Sequence, residues 1–555
     1  EALRAALSQG GPVTWRIGLI QSLGERGDAR AVKLIGIQLG SEEATPAAAS
    51  ALGKIADPRA VSALWGAYEK GLAIAADGLV TAGNRLLAAG DKAAAKDLFQ
   101  RLYLAGVASA GAEATEANGP LAPVQTRSAA LIGWATADPG SARDSIVNAL
   151  QQQEPRLQLA AVTAAAVAFG KDRVSAALAP LWPKLSPTAK IYVLQALDAS
   201  AEKEVIAAAT EAEEQVQLAA LERLGEIGSA ASIPVLFQAA TAGSSNARKA
   251  AEGSLARITG PGADRAIAEL AGEGKAKGRV VAINALAQRY EKSALPALLE
   301  YAGDADPAVS AAACAALARL GTDQESDGLI ELVRSGKAPG AVGALRAVAG
   351  RAGDKSTVAR KLITQTQTCE PQQLAPLFDV LAMLGGKEAL LAVATAAAGS
   401  NEATKDAAIR ALANWPEFPA TRVLLVVAAD PNTTRIHNVL AIQGIARLVK
   451  AADREPAAAR LEAVSAAMKA AKRDEEKKLL LSALASVSDR QAAEAIKPFL
   501  GDPRLGQEAG LAALNLAETL RKGDKPAAKD LARAVRSANL SEGLNRKADA
   551  FLGKD

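Results

Sequence analysis

The chain contains one histidine, His437, and two cysteines, Cys314 and Cys369, within 555 residues. These are the side chains best suited to nucleophilic or metal chemistry, so their settings decide whether an enzyme is in view. A Ser-His-Asp triad would have to use His437, and no G-x-S-x-G turn accompanies it. Multi-histidine metal sites are excluded by the count alone. If residues 435–452 form a helix, His437, Ala441, Gly444 and Leu448 share one stripe, with Gln443, Arg447 and Lys450 on another face. The histidine is therefore expected to point into packing, with Gly444 leaving room for its ring. The cysteines lack C-x-x-C spacing, so they carry no zinc or redox motif. Cys314 lies in "AAACAAL" and is expected to be a small buried residue, while a disulfide to Cys369 stays open.

Other chemistry is also unsupported. The glycine-containing stretch 260–272, "GPGADRAIAELAG", lacks the G-K-[ST] ending of a phosphate loop and follows a helical pattern, so it is expected to be a turn. Sixty acids are available, but none is paired by its setting as glycoside hydrolysis would require. The 64 Lys and Arg nearly balance the 60 Asp and Glu, and short basic clusters such as 469–478 are interrupted by acids. A nucleic-acid interface, which needs a concentrated basic stripe, is not expected. Four aromatics, Trp65, Tyr68, Phe99 and Tyr103, gather within 39 residues. They are the candidate ligand-binding residues, able to line a groove for a sugar or peptide; the competing expectation is aromatic core. No metal site, cofactor or catalytic residue is expected.

The elements that would position these residues follow from composition and period. Half the chain is hydrophobic but only 3% is aromatic, and alanine dominates. That favours many thin, closely packed helices. A hydrophobic position recurs at Leu224, Leu255, Leu286, Leu317, Val348, Leu381 and Leu412, in steps of 31, 31, 31, 31, 33 and 31. Leu23, Leu52, Trp134, Val167 and Leu197 are the expected earlier counterparts. Each unit has one helix, a short turn with Gly, Asp or Pro, and a second helix of about ten residues. Asp-Pro, Glu-Pro and Ser-Pro pairs open many of the runs, an N-cap followed by a proline suited to the first helical turn.

Stretches such as "QSLGERGDARAVKLIGI" (21–37) and "SALGKIADPRAVSALWGA" (50–67) resemble HEAT repeats, in particular the phycobilisome-lyase-like type. The resemblance implies an all-α, HEAT-like α-solenoid of about 15–16 stacked helix pairs over nearly the whole chain. The chain is also similar to helical regions of exported bacterial proteins that carry a 3-keto-disaccharide hydrolase or haem c domain. Neither companion is present in the sequence, so this resemblance implies a helper or scaffold.

The expected divisions are N-terminal repeats at 1–105, a long loop or insertion at 106–121, central repeats at 122–430, and longer-helix repeats with a cap at 431–555. "NWPEFPATR" (414–422) breaks the pattern and is expected to be a rigid turn held by packed aromatics. No apolar run is long enough to span a membrane. Beginning at Glu1, the chain resembles a processed product, from which export to the periplasm or beyond the cell is expected. The expected function is a non-enzymatic scaffold binding a protein partner, or a second copy of itself, over the extended surface of the helices. The alternative is a carbohydrate-binding or carbohydrate-processing accessory protein.

Overall fold

A computed structural model describes residues 1–105, 122–170 and 172–553. The loop expected at 106–121 lies outside the described residues. Those residues form 34 α-helices and no strand, with 3-10 turns between many of them. This is somewhat more helix than 15 or 16 pairs require. The chain divides into two compact units, Glu1–Ile267 and Ala268–Asp555.

The recurring hydrophobic position is in the core of every unit it marks but one. Leu224, Leu255, Leu286, Leu317, Val348, Leu381 and Leu412 are all buried, as are Leu23, Leu52, Trp134 and Leu197. Val167 is the exception and remains 43% exposed. In the Pro155–Phe169 helix the inward stripe runs through Ala161, Ala164, Ala165 and Ala168, so residue 167 turns outward. Small side chains hid the register there.

First helices of successive pairs pack directly on one another, as Thr45–Ile55 does on Ile74–Ala88 and Ala276–Gln288 on Pro307–Leu320. The alanine content makes this close approach achievable. At its tightest, a Cβ on Gly53 would stand 2.5 Å from the carbonyl oxygen of Gly78.

The Pro-containing boundaries act as expected at several sites. Asp57, Asp138 and Asp306 accept hydrogen bonds from backbone N–H groups of the helices that start at Pro58, Pro139 and Pro307. Asp430-Pro431 does not open a helix; the next one begins at Arg435, capped by Thr434. Second helices often enter through a 3-10 turn, as Ala230–Ser232 leads into Ile233–Ala242 and Asp323–Glu325 into Ser326–Ser335. That tighter turn leaves no separate hydrophobic period and was not visible in the sequence.

Polar side chains join equivalent places in neighbouring pairs. Lys54 bonds Glu25 at 2.6 Å, Arg101 bonds Glu69 at 2.8 Å, and Asn246 bonds Glu214 at 3.1 Å, across 29, 32 and 32 residues. Arginines also close helix ends. Arg351 donates to the carbonyl of Gly321 at 3.1 Å, and the buried Arg460 donates to that of Val449 at 3.0 Å. A cation at a helix C-terminus both fills orphan carbonyls and opposes the helix dipole.

Candidate functional site

The four candidate aromatics lie on two helices of the N-terminal unit. Asp57 and Pro58 start the Pro58–Glu69 helix, which carries Trp65 and Tyr68. Asp91 caps Lys92–Leu104, which carries Phe99 and Tyr103. All four side chains are buried. The quartet does not form one wall. Trp65 and Tyr68 meet edge to face, 5.7 Å between centroids, whereas Tyr103 turns towards Trp134 at 6.0 Å. The Tyr103 hydroxyl donates to the carbonyl of Ser145 at 3.3 Å. Burial raises the phenol pKa of both Tyr68 and Tyr103.

Phe99 is fully enclosed. Its ring lies between the Ile74–Ala88 and Val124–Ala137 helices, against Gly83 and Gly133. A Cβ at either glycine would fall 2.4 or 2.5 Å from the ring. Trp65 alone of the quartet lines an open groove of about 630 Å³, together with Ser62, Glu69, Asp97 and Arg101. The Arg101 guanidinium stands 4.1 Å over the indole and is held there by Glu69 at 2.8 Å. Trp134 and Arg101, the partners that organise this cluster, were absent from the sequence-derived set because each comes from a different turn or helix than the residue it meets.

His437 sits in the second unit, on Arg435–Ala451, and is only 5% exposed. Its Nε2 lies 3.0 Å from Oδ1 of Asp406, whose Oδ2 accepts from Arg410 Nε at 2.7 Å. That arginine, then the histidine, lowers the Asp406 pKa against the opposing effect of partial burial. Nδ1 is buried and has no hydrogen-bond partner among the described residues. Ala441, Gly444 and Leu448 are buried while Gln443, Arg447 and Lys450 are exposed, the division expected from the helical stripe. The role assigned to Gly444 is corrected: a Cβ there would meet Leu424 and Ala413, so the glycine admits those residues rather than the imidazole.

Cys314 and Cys369 are both free, and burial raises each thiol pKa. Glu202 is a half-buried acid held by serines. Burial raises its pKa, but hydrogen bonds from Ser232 and Ser229 outweigh that and leave it lowered. It accepts from the Ser229 backbone N–H at 2.6 Å and from Ser232 Oγ at 2.6 Å, thereby tying one pair to the next. Among the described residues no group of three or more His, Cys, Asp or Glu could hold a metal ion. No described helix is long and apolar enough to cross a membrane.

In the 414–422 break, Trp415 is fully buried while Pro416 and Pro419 are exposed and Phe418 is half-buried. Glu417 accepts from the Gly386 N–H at 2.9 Å, across 31 residues. Phe418, Pro416, Leu390 and Leu448 line an open groove of about 750 Å³ whose charged rim includes Lys387 and Arg454. The break is thus a turn with a packed indole and an exposed apolar shoulder.

Residues 202–277 and 263–349 match the family model of HEAT repeats. No curated protein matches the chain. Among solved structures, the crystal structure of Kap121p bound to Ste12p is 13% identical, with 99% of this chain and 71% of that chain covered and a TM-score of 0.41. A homology model of the full-length AP-3 complex in an intermediate open conformation is 12% identical, with 95% and 99% covered and a TM-score of 0.43. The helix pairs and the matched repeats agree: the chain is an all-α, HEAT-like solenoid, with HEAT repeats recognised over residues 202–277 and 263–349.

Proposed function

We propose that the chain is a non-enzymatic scaffold that holds a protein partner on its stacked helices. The observation that carries this reading is the use made of His437. It spans two neighbouring helix pairs and meets a carboxylate already held by Arg410. Meanwhile the surface offers open, largely apolar grooves between successive pairs, such as the one around Phe418. Such grooves suit side chains of another protein. The test is co-purification of the chain from its native source, with mass spectrometry of the eluate. One protein at fixed stoichiometry is expected. A chain that elutes alone and turns over a small molecule contradicts the proposal.

A second reading, a carbohydrate-binding or carbohydrate-processing accessory of an exported system, is favoured by Trp65. Its indole edges a groove that also holds Ser62, Glu69 and Asp97, a mixture of aromatic and polar groups suited to a sugar ring. The resemblance to helical regions that accompany sugar-active domains points the same way. Titration of neutral oligosaccharides while following tryptophan fluorescence tests it. Saturable quenching weakened by Asp97→Asn supports it, and no response to any glycan removes it.

A further inference from the structure

A second open groove, of about 810 Å³, lies in the N-terminal unit between the Val32–Ile37 and Pro58–Glu69 helices. Its floor is apolar. Val32, Leu39, Ala63 and Leu72 line it, and Ile37 keeps 66% of its surface in solvent. Gly36 and Gly66 also lie on the floor, and a Cβ on Gly66 would meet nothing within 4 Å. A guest backbone can therefore come close. The rim carries Arg30, Lys33, Arg59 and Lys70, and no carboxylate lines the groove among the described residues. Arg59 is partnered by Asp57 at 2.9 Å. Arg30, Lys33 and Lys70 are exposed and make no side-chain ion pair among the described residues.

The exposed isoleucine is ringed by cations, and no carboxylate lines the groove among the described residues, in a chain whose charges otherwise nearly balance. Several cations of the unit find an acid in a neighbouring pair, as Lys54 finds Glu25. Here, among the described residues, only Arg59 has an acid partner, Asp57, and Ile37 is left in water.

We propose that this groove docks an acidic amphipathic helix of a protein partner. The inference rests on the scaffold reading and names the chemistry of the partner. Apolar side chains at three- and four-residue spacing would cover Ile37 and Leu72, removing apolar surface from water. Carboxylates on the flanks of the same helix would face Lys33, Lys70 and Arg30, which steers encounter and sets orientation. A single-stranded nucleic acid would find the cations but no aromatic platform, because no aromatic side chain lines the groove.

The test is fluorescence anisotropy on the full chain with three labelled probes. These are a Leu/Glu amphipathic helical peptide, the same peptide with each Glu replaced by Lys, and a single-stranded oligothymidylate. The Leu/Glu peptide is expected to bind. Its Kd is expected to rise about tenfold in the Lys33→Glu/Lys70→Glu variant and severalfold in Ile37→Ser. All substituted side chains are exposed, and circular dichroism melts check that each variant folds as the parent does. Equal binding of the Leu/Lys peptide, indifference to both variants, or tighter binding of the oligonucleotide would overturn the assignment. The scaffold reading is judged separately by co-purification. A partner retained equally by Lys33→Glu/Lys70→Glu overturns the groove and leaves the scaffold standing. No partner with either chain overturns the scaffold, while the peptide titration still decides the groove.

Discussion

The imidazole of His437 and the carboxylate of Asp406 meet at 3.0 Å across 31 residues, one repeat step. The only histidine in the chain thus joins one helix pair to the next. Substituting it by alanine removes a buried ring and a hydrogen bond, and leaves Asp406 with Arg410 and solvent. His437→Ala is expected to lose about 1–3 kcal/mol of stability. Urea unfolding followed by circular dichroism measures it. An unchanged midpoint would mean that the contact contributes nothing to the stack.

Asp406 also predicts an acid dependence. Its folded pKa is lowered below the ordinary 3.8, first by Arg410 and then by His437. A lowered carboxylate stabilises the fold fully above its unfolded pKa, and that contribution is lost as pH falls through the folded value. Between about pH 4 and lower pH, the melting temperature of Asp406→Asn is therefore expected to fall less steeply than that of the parent. Parallel melting curves across that range would contradict this.

Gly83 tests the packing of the aromatic cluster. Glycine to alanine inside a helix ordinarily stabilises by about 1 kcal/mol. Here the new methyl would meet the Phe99 ring at 2.4 Å, and on the other side the ring packs so close to Gly133 that a Cβ added there would stand 2.5 Å away. Gly83→Ala is expected to destabilise by about 1–3 kcal/mol. Adding Phe99→Leu should recover part of that loss. A stabilised single variant would show that the ring is free to move.

The repeat register is tested by two truncations of similar chemistry. Leu317 is fully buried and Val167 is 43% exposed. Leu317→Ala is expected to cost about 2–5 kcal/mol, and Val167→Ala less than about 0.5 kcal/mol. Equal losses, read from thermal or urea melts, would overturn the register placed on the Pro155–Phe169 helix.

The repeat was legible in the sequence because burial repeats with the chain: the same hydrophobic position returns every 31 or so residues, from Leu224 to Leu412. It failed at Val167, where alanines on both sides give no contrast in size or polarity between inward and outward faces. The inward course of His437 was legible for the same reason, through its i, i+4 and i+7 neighbours. What it meets was not, because Asp406 lies one helix pair away and adjacency depends on how the pairs stack. The aromatic quartet shows the limit most clearly. Trp65 and Phe99 are neighbours in composition, yet Trp65 borders a groove beneath Arg101 whereas Phe99 is sealed between two glycines. Both rings are buried, and spacing along the chain does not tell one that edges a groove from one sealed in the core. The charge pattern of the Ile37 groove was equally hidden, since Arg30, Lys33, Arg59 and Lys70 come from two repeats and look scattered in sequence.

Hydrogen–deuterium exchange of the full chain, alone and with the protein that co-purifies, tests the scaffold most directly. The expected result is added protection confined to groove-lining surfaces, such as the segment around Ile37 or that around Phe418, with the amides flanking His437 unchanged. No partner-dependent protection anywhere, together with substrate turnover that disappears in His437→Ala, would contradict it and return the lone histidine to catalysis.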